Sequence, residues 1–191
     1  NLAEQNLTKK LLIDTLDNMN QATSRMERYI ESVRNIQKID EIQILLKEES
    51  MINILIELEN DFKKLAERYS KKLIVSNCFK GVVCIDKVQF FRIMENIVIN
   101  SFRYATHLVI IETSQVKNYL RICVKDDGPG FSPEDIEKAT KLFYTKSRNE
   151  KNMGIGLYIS KLLCEKQGGK LFIKNSETGG GEIIVQVKVK E

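Results

Sequence analysis

This chain has few prolines, a single histidine and no closely spaced pair of cysteines, and the last two features argue against a zinc-binding or disulfide-rich protein. The 191 residues include two prolines, one histidine and four cysteines. The cysteines are scattered without a C-x-x-C pair, so a zinc site is not expected, and reduced thiols fit better than a disulfide framework. No apolar run approaches the roughly 18–20 residues of a membrane span, and the start has no signal-peptide pattern.

The charge of the chain is mild and evenly distributed. Hydrophobic residues make up 42% and charged residues 29%, which is typical of a globular protein. The net charge is +4, and lysine and arginine alternate with aspartate and glutamate. This pattern does not form the basic face that nucleic-acid binding needs, so no nucleic-acid partner is expected.

The first part of the chain, over residues 7–39, has the pattern of a long amphipathic helix. Its apolar residues recur at alternating steps of four and three: Leu12, Leu16, Met19, Thr23, Met26, Ile30 and Val33. Heptad spacing places these side chains in one apolar seam along a helix. Two interpretations stay open. The helix packs on its own domain, or it belongs to a dimeric bundle, which the length of the seam favours.

The rest of the chain has the pattern of an α+β domain. The heptad pattern breaks over residues 37–50, and we therefore divide the chain into a helical segment, 1–46, and a globular domain, 47–191. Helices are predicted at 52–71, 87–104 and 158–167, and strands at 72–79, 81–86, 107–115, 119–127, 170–176 and 181–189. The first two strands are interpreted as a hairpin. Consecutive strands with interposed helices predict a two-layer α/β sandwich, with a largely antiparallel sheet covered by helices on one face.

The predicted helix at 87–104 carries two amides on one face. Asn96 and Asn100 are four residues apart on an otherwise largely apolar helix, and such amides are expensive to bury without partners. They could cap a neighbouring loop. Alternatively they could face a Mg²⁺–triphosphate group, because an amide oxygen is a suitable ligand for Mg²⁺. Arg103 lies three residues further on and could hold a phosphate by a charge-assisted bond.

Two glycine-containing turns follow this helix. The segment DDGPGF at 126–131 combines Gly128 and Gly130 with a carboxylate at its entry, which could accept a hydrogen bond from an exocyclic amine. It is neither a G-x-G-x-x-G signature nor a P-loop, and an ordinary turn between a strand and a loop is the alternative. In the second turn, Gly154 and Gly156 lead into a helix, whose N-terminus favours phosphate.

A polar segment, Ser132–Met153, connects the two glycine turns. It is rich in Lys, Glu, Asn and Thr, and it carries cations at Lys146, Arg148 and Lys151. Between two turns that could face phosphate, such a segment is a candidate for a mobile lid. A solvated surface loop is the alternative interpretation.

In this order and spacing, the segments resemble the ATP-binding catalytic domain of sensor histidine kinases, a branch of the Bergerat-fold (GHKL) ATPases. Residues 95–105 (ENIVINSFRYA) resemble the N box, 126–131 the G1 box, 142–147 (LFYTKS) the F box, 154–160 (GIGLYIS) the G2 box, and 179–187 (GGGEIIVQV) the final glycine segment. The resemblance covers roughly residues 50–191. It implies the Bergerat ATP-binding fold, preceded here by a helical dimerisation and phosphotransfer segment.

The resemblance implies a role for each matching residue. Asn100 would hold Mg²⁺, Asp126 would pair with adenine, and Arg103 would face the phosphates. Asp127 falls where the family often has Asn and is expected to lie outside the adenine contact. The implied ATP site comprises Asn96, Asn100, Arg103, Tyr104, Asp126, Gly128, Gly130, Phe143, Tyr144, Lys146, Gly154, Gly156 and Leu157. The two aromatic residues of the F box would anchor the lid, and the residues of the G2 box would shape its C-terminal hinge.

The resemblance also implies a reaction and its partners. With ATP and Mg²⁺ as cofactors, the γ-phosphoryl group would pass to a histidine and then to a response-regulator receiver domain. The seam helix looks like the second helix of the phosphotransfer hairpin, and the first helix with its phosphoacceptor histidine is absent. His107, inside the catalytic domain, cannot substitute for it. We expect a fragment that is inactive in self-phosphorylation alone. It would come from the cytoplasmic portion of a membrane-bound sensor kinase that is a homodimer at full length and meets the membrane only through upstream segments.

Three other functions stay open. A Bergerat-type ATP hydrolase would need a glutamate four residues before the metal-binding asparagine, where this chain has Asn96. A serine kinase of the anti-sigma type shares these boxes but lacks a coiled seam in front. A non-catalytic docking module would keep the fold without the chemistry, and measuring Mg-ATP binding distinguishes it from the others.

Overall fold

The computed structural model describes residues 2–145, 153–177 and 179–190, and it begins with one long helix, α1 (Leu2–Glu41). The helix has 40 residues and is therefore about 60 Å long. Five apolar side chains of its seam are more than half exposed: Leu12, Leu16, Met19, Met26 and Ile30. Val33, the last seam residue, is half-buried. From Leu12 to Ile30 the seam therefore does not pack on its own domain.

The C-terminal end of α1 contacts the rest of the chain through another face. Ile39 is fully buried in the main core, and Ile36 packs against that core. The Lys166 Nζ donates a hydrogen bond to the carbonyl oxygen of Asp40 at 2.9 Å. The helix is thus fixed at its end, with its seam left exposed.

In the part of the chain that the structure describes, eleven further elements follow α1. They are β1 (Lys47–Ser50), α2 (Met51–Arg68), β2 (Lys72–Asn77), β3 (Val82–Ile85), α3 (Lys87–Tyr104), β4 (Leu108–Val116), β5 (Tyr119–Asp126), α4 (Pro133–Lys138), α5 (Gly156–Lys166), β6 (Lys170–Asn175) and β7 (Gly181–Lys188). Five strands form a sheet in the order β2-β4-β5-β7-β6. The neighbours are antiparallel except β2 and β4, which are parallel. The α+β class and the largely antiparallel sheet are confirmed.

The predicted hairpin of β2 and β3 is wrong. β2 pairs in parallel with β4, where Leu73 is opposite Val109, and β3 pairs with β1 in a separate two-stranded sheet, where Cys84 is opposite Glu48. Sequence reading missed β1 because its residues, KEES, are poor strand formers. Because β1 is not recognisable in the sequence, the sequence pattern pairs β3 with the strand that precedes it, β2.

The main core lies between the sheet and the helices. Along β5 every second side chain is buried, namely Leu120, Ile122, Val124 and Asp126. The helix α3 has the predicted bounds. It begins after the N-cap Asp86, which accepts a hydrogen bond from the Gln89 N–H, and it buries Phe90, Ile93, Met94 and Ile97. Beside it lies α5, whose Ser160 hydroxyl is 3.5 Å from the Ile93 carbonyl oxygen. Among the helices of the described ranges, none is long and apolar enough to cross a membrane.

Candidate functional site

The two asparagines of α3 lie on the same face, in the half of the helix that packs beside the start of α5. Asn96 and Asn100 are half-buried, and their amides make no hydrogen bond to a described residue. The buried residues around them on α3 are apolar apart from Ser101. Two amides therefore remain available to a ligand, since a polar group that is partly removed from water needs a partner.

The first turn of α5 lies against the amide of Asn96. A Cβ atom at Gly156 would lie 3.5 Å from Oδ1 of Asn96, so the absence of a side chain leaves the start of the helix open on that side. The N-cap residue Ile155 makes no side-chain capping bond. The helix therefore offers backbone N–H groups and the positive end of its dipole next to the amide of Asn96, an arrangement that favours an anion such as phosphate.

Gly154, two residues before α5 begins, lies against the backbone of Tyr144. Gly154 has φ +66°, and a Cβ atom there would lie 2.2 Å from the carbonyl oxygen of Tyr144. Only glycine fits this contact. The Tyr144 hydroxyl donates to Oδ1 of Asp135 at 2.8 Å. Partial burial and this hydrogen bond raise the pKa of Tyr144 to about 12. The backbones of Tyr144 and Gly154 thus lie directly against each other.

The carboxylate of Asp126 lies at the end of β5, only 9% exposed. Its Oδ1 accepts hydrogen bonds from the N–H groups of Gly128 at 3.0 Å and Gly181 at 3.1 Å. Its Oδ2 has no hydrogen-bond partner among the described residues and remains able to accept a proton donor. Burial raises the pKa of Asp126, against the lowering effect of the two backbone hydrogen bonds.

Close backbone contacts join this carboxylate to two other segments. A Cβ atom at Gly128 would lie 2.3 Å from the Tyr104 carbonyl oxygen at the end of α3, and one at Gly180 would lie 1.9 Å from the Asp126 carbonyl oxygen. Gly180 has φ +85°. The turn after β5, the end of α3 and the glycines before β7 therefore meet around Asp126.

The neighbouring carboxylate, Asp127, is exposed and fixes a loop. Its oxygens accept hydrogen bonds from the backbone N–H groups of Thr106 at 2.8 Å, His107 at 2.9 Å and Leu108 at 3.0 Å. Burial alone would raise the pKa of Asp127, but these hydrogen bonds together lower it. Asp127 thereby ties the turn after β5 to the segment that follows α3.

We expect Asp127→Asn to lower stability in a pH-dependent way. The folded-state pKa of Asp127 is below its unfolded value, so the carboxylate adds stability above the unfolded pKa of about 3.9, and this stability is lost as the pH falls through the folded pKa. Urea unfolding at several pH values should show that the free energy of unfolding of the variant is lower than that of wild type, by an amount that is largest near neutral pH. A gap of equal size at neutral and strongly acidic pH would contradict this role.

The other predicted site residues are placed as follows. Arg103 and Tyr104 are exposed at the end of α3. Gly130 has φ +72°, and a Cβ atom there would lie 2.7 Å from Oδ1 of Asn175. Leu157 packs against the core, as does Phe143, which has φ +63° and whose ring stacks on that of Tyr29 in α1. Lys146 lies outside the described residues.

Sequence reasoning missed several residues that shape this region. Gly180 and Gly181 were recognised as part of a glycine segment but not as neighbours of Asp126. Asn175 accepts from the Phe131 N–H at 2.6 Å and donates to its carbonyl oxygen at 2.9 Å. The glycine run could have indicated the first contact. Nothing local in the sequence marks Asn175, because its partner is 44 residues away.

Comparison with known proteins identifies the family. The sequence profile of the "Histidine kinase-, DNA gyrase B-, and HSP90-like ATPase" family matches residues 85–191, and the chain belongs to this family. The sensor protein SrrB of Staphylococcus aureus is 22% identical over 171 residues, a match that covers 85% of this chain and 29% of the length of SrrB. The chain thus spans under a third of this relative.

Solved structures show the same fold. Full-length ShkA in complex with AMPPNP aligns with a TM-score of 0.73 and 16% identity, covering 85% of this chain and 36% of that one. The catalytic domain of the histidine kinase ThkA aligns with a TM-score of 0.67 and 21% identity, covering 75% of this chain and 95% of that domain. Together with the family match, these structures confirm the ATP-binding fold that the resemblance implied.

Proposed function

We propose that the chain is the ATP-binding catalytic part of a sensor histidine kinase, which transfers the γ-phosphoryl group of ATP to a histidine outside this chain. The observation that carries the proposal is the buried Asp126 carboxylate, with Oδ1 held by two backbone N–H groups and Oδ2 unbonded. An exocyclic amine such as adenine N6 would complete this arrangement. The Asp126 pocket and the unpaired amides of α3 would bind opposite ends of one nucleotide.

The residues of α3 and α5 fit the triphosphate end. The described residues contain no cluster of three or more His, Cys, Asp or Glu side chains that could hold a metal. A Mg²⁺ ion does not require one, because it is commonly held by one or two protein ligands together with substrate phosphates. The amide oxygen of Asn100 would be such a ligand, and Mg²⁺ would neutralise phosphate charge. Arg103 and the N-terminus of α5 would bind phosphate oxygens, so that the protein contributes positioning and electrostatic stabilisation.

Phosphoryl transfer is favoured over hydrolysis. The position four residues before Asn100 is Asn96, whose amide cannot act as a general base toward water. The chain's single histidine, His107, lies next to β4, and its backbone N–H is held by Asp127. His107 thus belongs to the segment between α3 and β4 that Asp127 holds, and the phosphoacceptor would be another histidine.

The exposed seam of α1 favours a sensor kinase over an anti-sigma type serine kinase or a docking module. An apolar seam that is exposed from Leu12 to Ile30 suits a bundle formed with a second copy, so the full-length protein would be a homodimer. The phosphohistidine would donate to a response-regulator receiver domain. The chain would be the cytoplasmic part of a membrane-bound sensor.

Two measurements test the proposal. Calorimetry on this chain should show Mg-ATP binding in the micromolar range, and radiolabelled ATP should leave no acid-labile phosphate on it. The natural protein extended upstream through its helical hairpin should become labelled on histidine and transfer the label to a receiver domain. Absence of Mg-ATP binding by the folded chain would overturn the proposal. Strong acid-labile labelling of the 191-residue chain would refute the external acceptor.

A further inference from the structure

An aromatic contact joins α1 to the segment after α4. The rings of Tyr29 and Phe143 are stacked, with centroids 4.5 Å apart and an interplanar angle of 16°. Tyr29 is not a seam residue, since the nearest seam positions are Met26, Ile30 and Val33. The stack therefore uses a residue of α1 that flanks the seam and does not belong to it.

The backbone at Phe143 requires support from its surroundings. Its φ of +63° lies in the left-handed region, which is an outlier for a bulky residue. Such conformations persist where the neighbouring structure holds them in place. The ring of Phe143 packs against the main core and stacks on Tyr29, so α1 provides part of that support.

A continuous series of contacts leads from Phe143 to the amides of α3. The next residue, Tyr144, is bonded to Asp135 through its hydroxyl, and its carbonyl oxygen occupies the space that a Cβ atom at Gly154 would fill. Two residues further on, Gly156 begins α5 against the amide of Asn96. Moving Phe143 would therefore move the backbone at the start of α5.

We propose that Tyr29 is a positioning residue for the phosphate end of the nucleotide site. It acts by holding Phe143, and through the contact of Tyr144 with Gly154 it sets where the N-terminus of α5 lies relative to Asn96. The inference rests on the proposed function. It makes phosphate binding depend on the position of α1, whereas the adenine contact of Asp126 lies on β5 and is independent of the stack.

Variants of Tyr29 in the whole chain test this inference by calorimetry with Mg-ATP and with adenosine. Tyr29→Ala should weaken Mg-ATP binding roughly two- to tenfold, the range that corresponds to the loss of one aromatic pair. Adenosine affinity should stay unchanged, because adenosine has no phosphate. Tyr29→Phe, which retains the ring, should bind Mg-ATP as wild type does. Ile13→Ala, which removes an exposed apolar side chain from α1 outside the seam, is the control.

A spectroscopic readout is available because the chain contains no tryptophan. Tyr29→Trp keeps an aromatic ring at the contact, and its emission should change on addition of Mg-ATP but not of adenosine. Wild-type Mg-ATP affinity in Tyr29→Ala would overturn the inference, as would an equal loss of adenosine affinity, which indicates a general structural defect. Absence of Mg-ATP binding by wild type would instead overturn the proposed function, and this inference with it.

Discussion

Asp126→Asn is expected to weaken adenine-nucleotide binding strongly while the chain stays folded. The asparagine Oδ1 can still accept the N–H groups of Gly128 and Gly181, but an NH₂ donor replaces the unbonded Oδ2. A donor would then face the donor on adenine, which leaves both groups unpaired. Losing a charged hydrogen bond and stranding its partners predicts a drop in Mg-ATP affinity on the order of 100-fold. Calorimetry measures this directly.

The stability of Asp126→Asn shows whether a loss of binding comes from the pocket itself or from unfolding of the chain. The folded-state pKa of Asp126 is raised, so its ionised form opposes folding at pH values above that pKa, and a neutral amide removes this penalty. Urea unfolding near neutral pH should therefore give Asp126→Asn a free energy of unfolding no lower than that of wild type. The adjacent Asp127→Asn, also at the end of β5 but outside the pocket, should still bind nucleotide. Undiminished Mg-ATP affinity in Asp126→Asn would remove the basis of the proposed function.

The elements that sequence analysis predicted well are those whose signals are local. The bounds of α3 follow from an N-cap aspartate and a helical apolar period within one stretch of chain. The antiparallel neighbours β4 and β5 are joined by a short turn, so adjacency in sequence becomes adjacency in the sheet. The pairing of β2 with β4 crosses the whole of α3 and is not encoded by any local pattern.

The candidate site likewise contains residues with a local sequence signal and contacts without one. Asn96, Asn100, Asp126 and the glycines after it could be predicted, because a short motif fixes residue type and spacing together. Their supporting contacts could not. The Gly181 N–H reaches Asp126 from 55 residues away, and Tyr29 meets Phe143 across most of the chain. Such contacts depend on how strands and helices pack, so they appear only once the chain is folded.

Gly180→Ala is expected to be the most destabilising glycine substitution near the site. Its φ of +85° disfavours any L side chain, and a Cβ atom would lie 1.9 Å from the carbonyl oxygen of Asp126. Left-handed backbone costs roughly 1–2 kcal/mol for a non-glycine residue. The clash is with backbone rather than a flexible side chain, so a strand must shift, which adds about 1–3 kcal/mol.

The adjacent Gly179→Ala variant carries the cost of the left-handed backbone without the cost of the clash. Gly179 has a similar φ of +88°, but a Cβ atom there would meet no atom of the described residues within 4 Å. In urea unfolding, the free energy of unfolding of Gly180→Ala should be about 2 kcal/mol lower than that of Gly179→Ala. The shift should also displace the pocket, so Gly180→Ala should lose Mg-ATP affinity under conditions where it is still folded, and Gly179→Ala should keep it. Equal stability and equal affinity in the two variants would mean that the segment before β7 does not hold the Asp126 carboxylate in place.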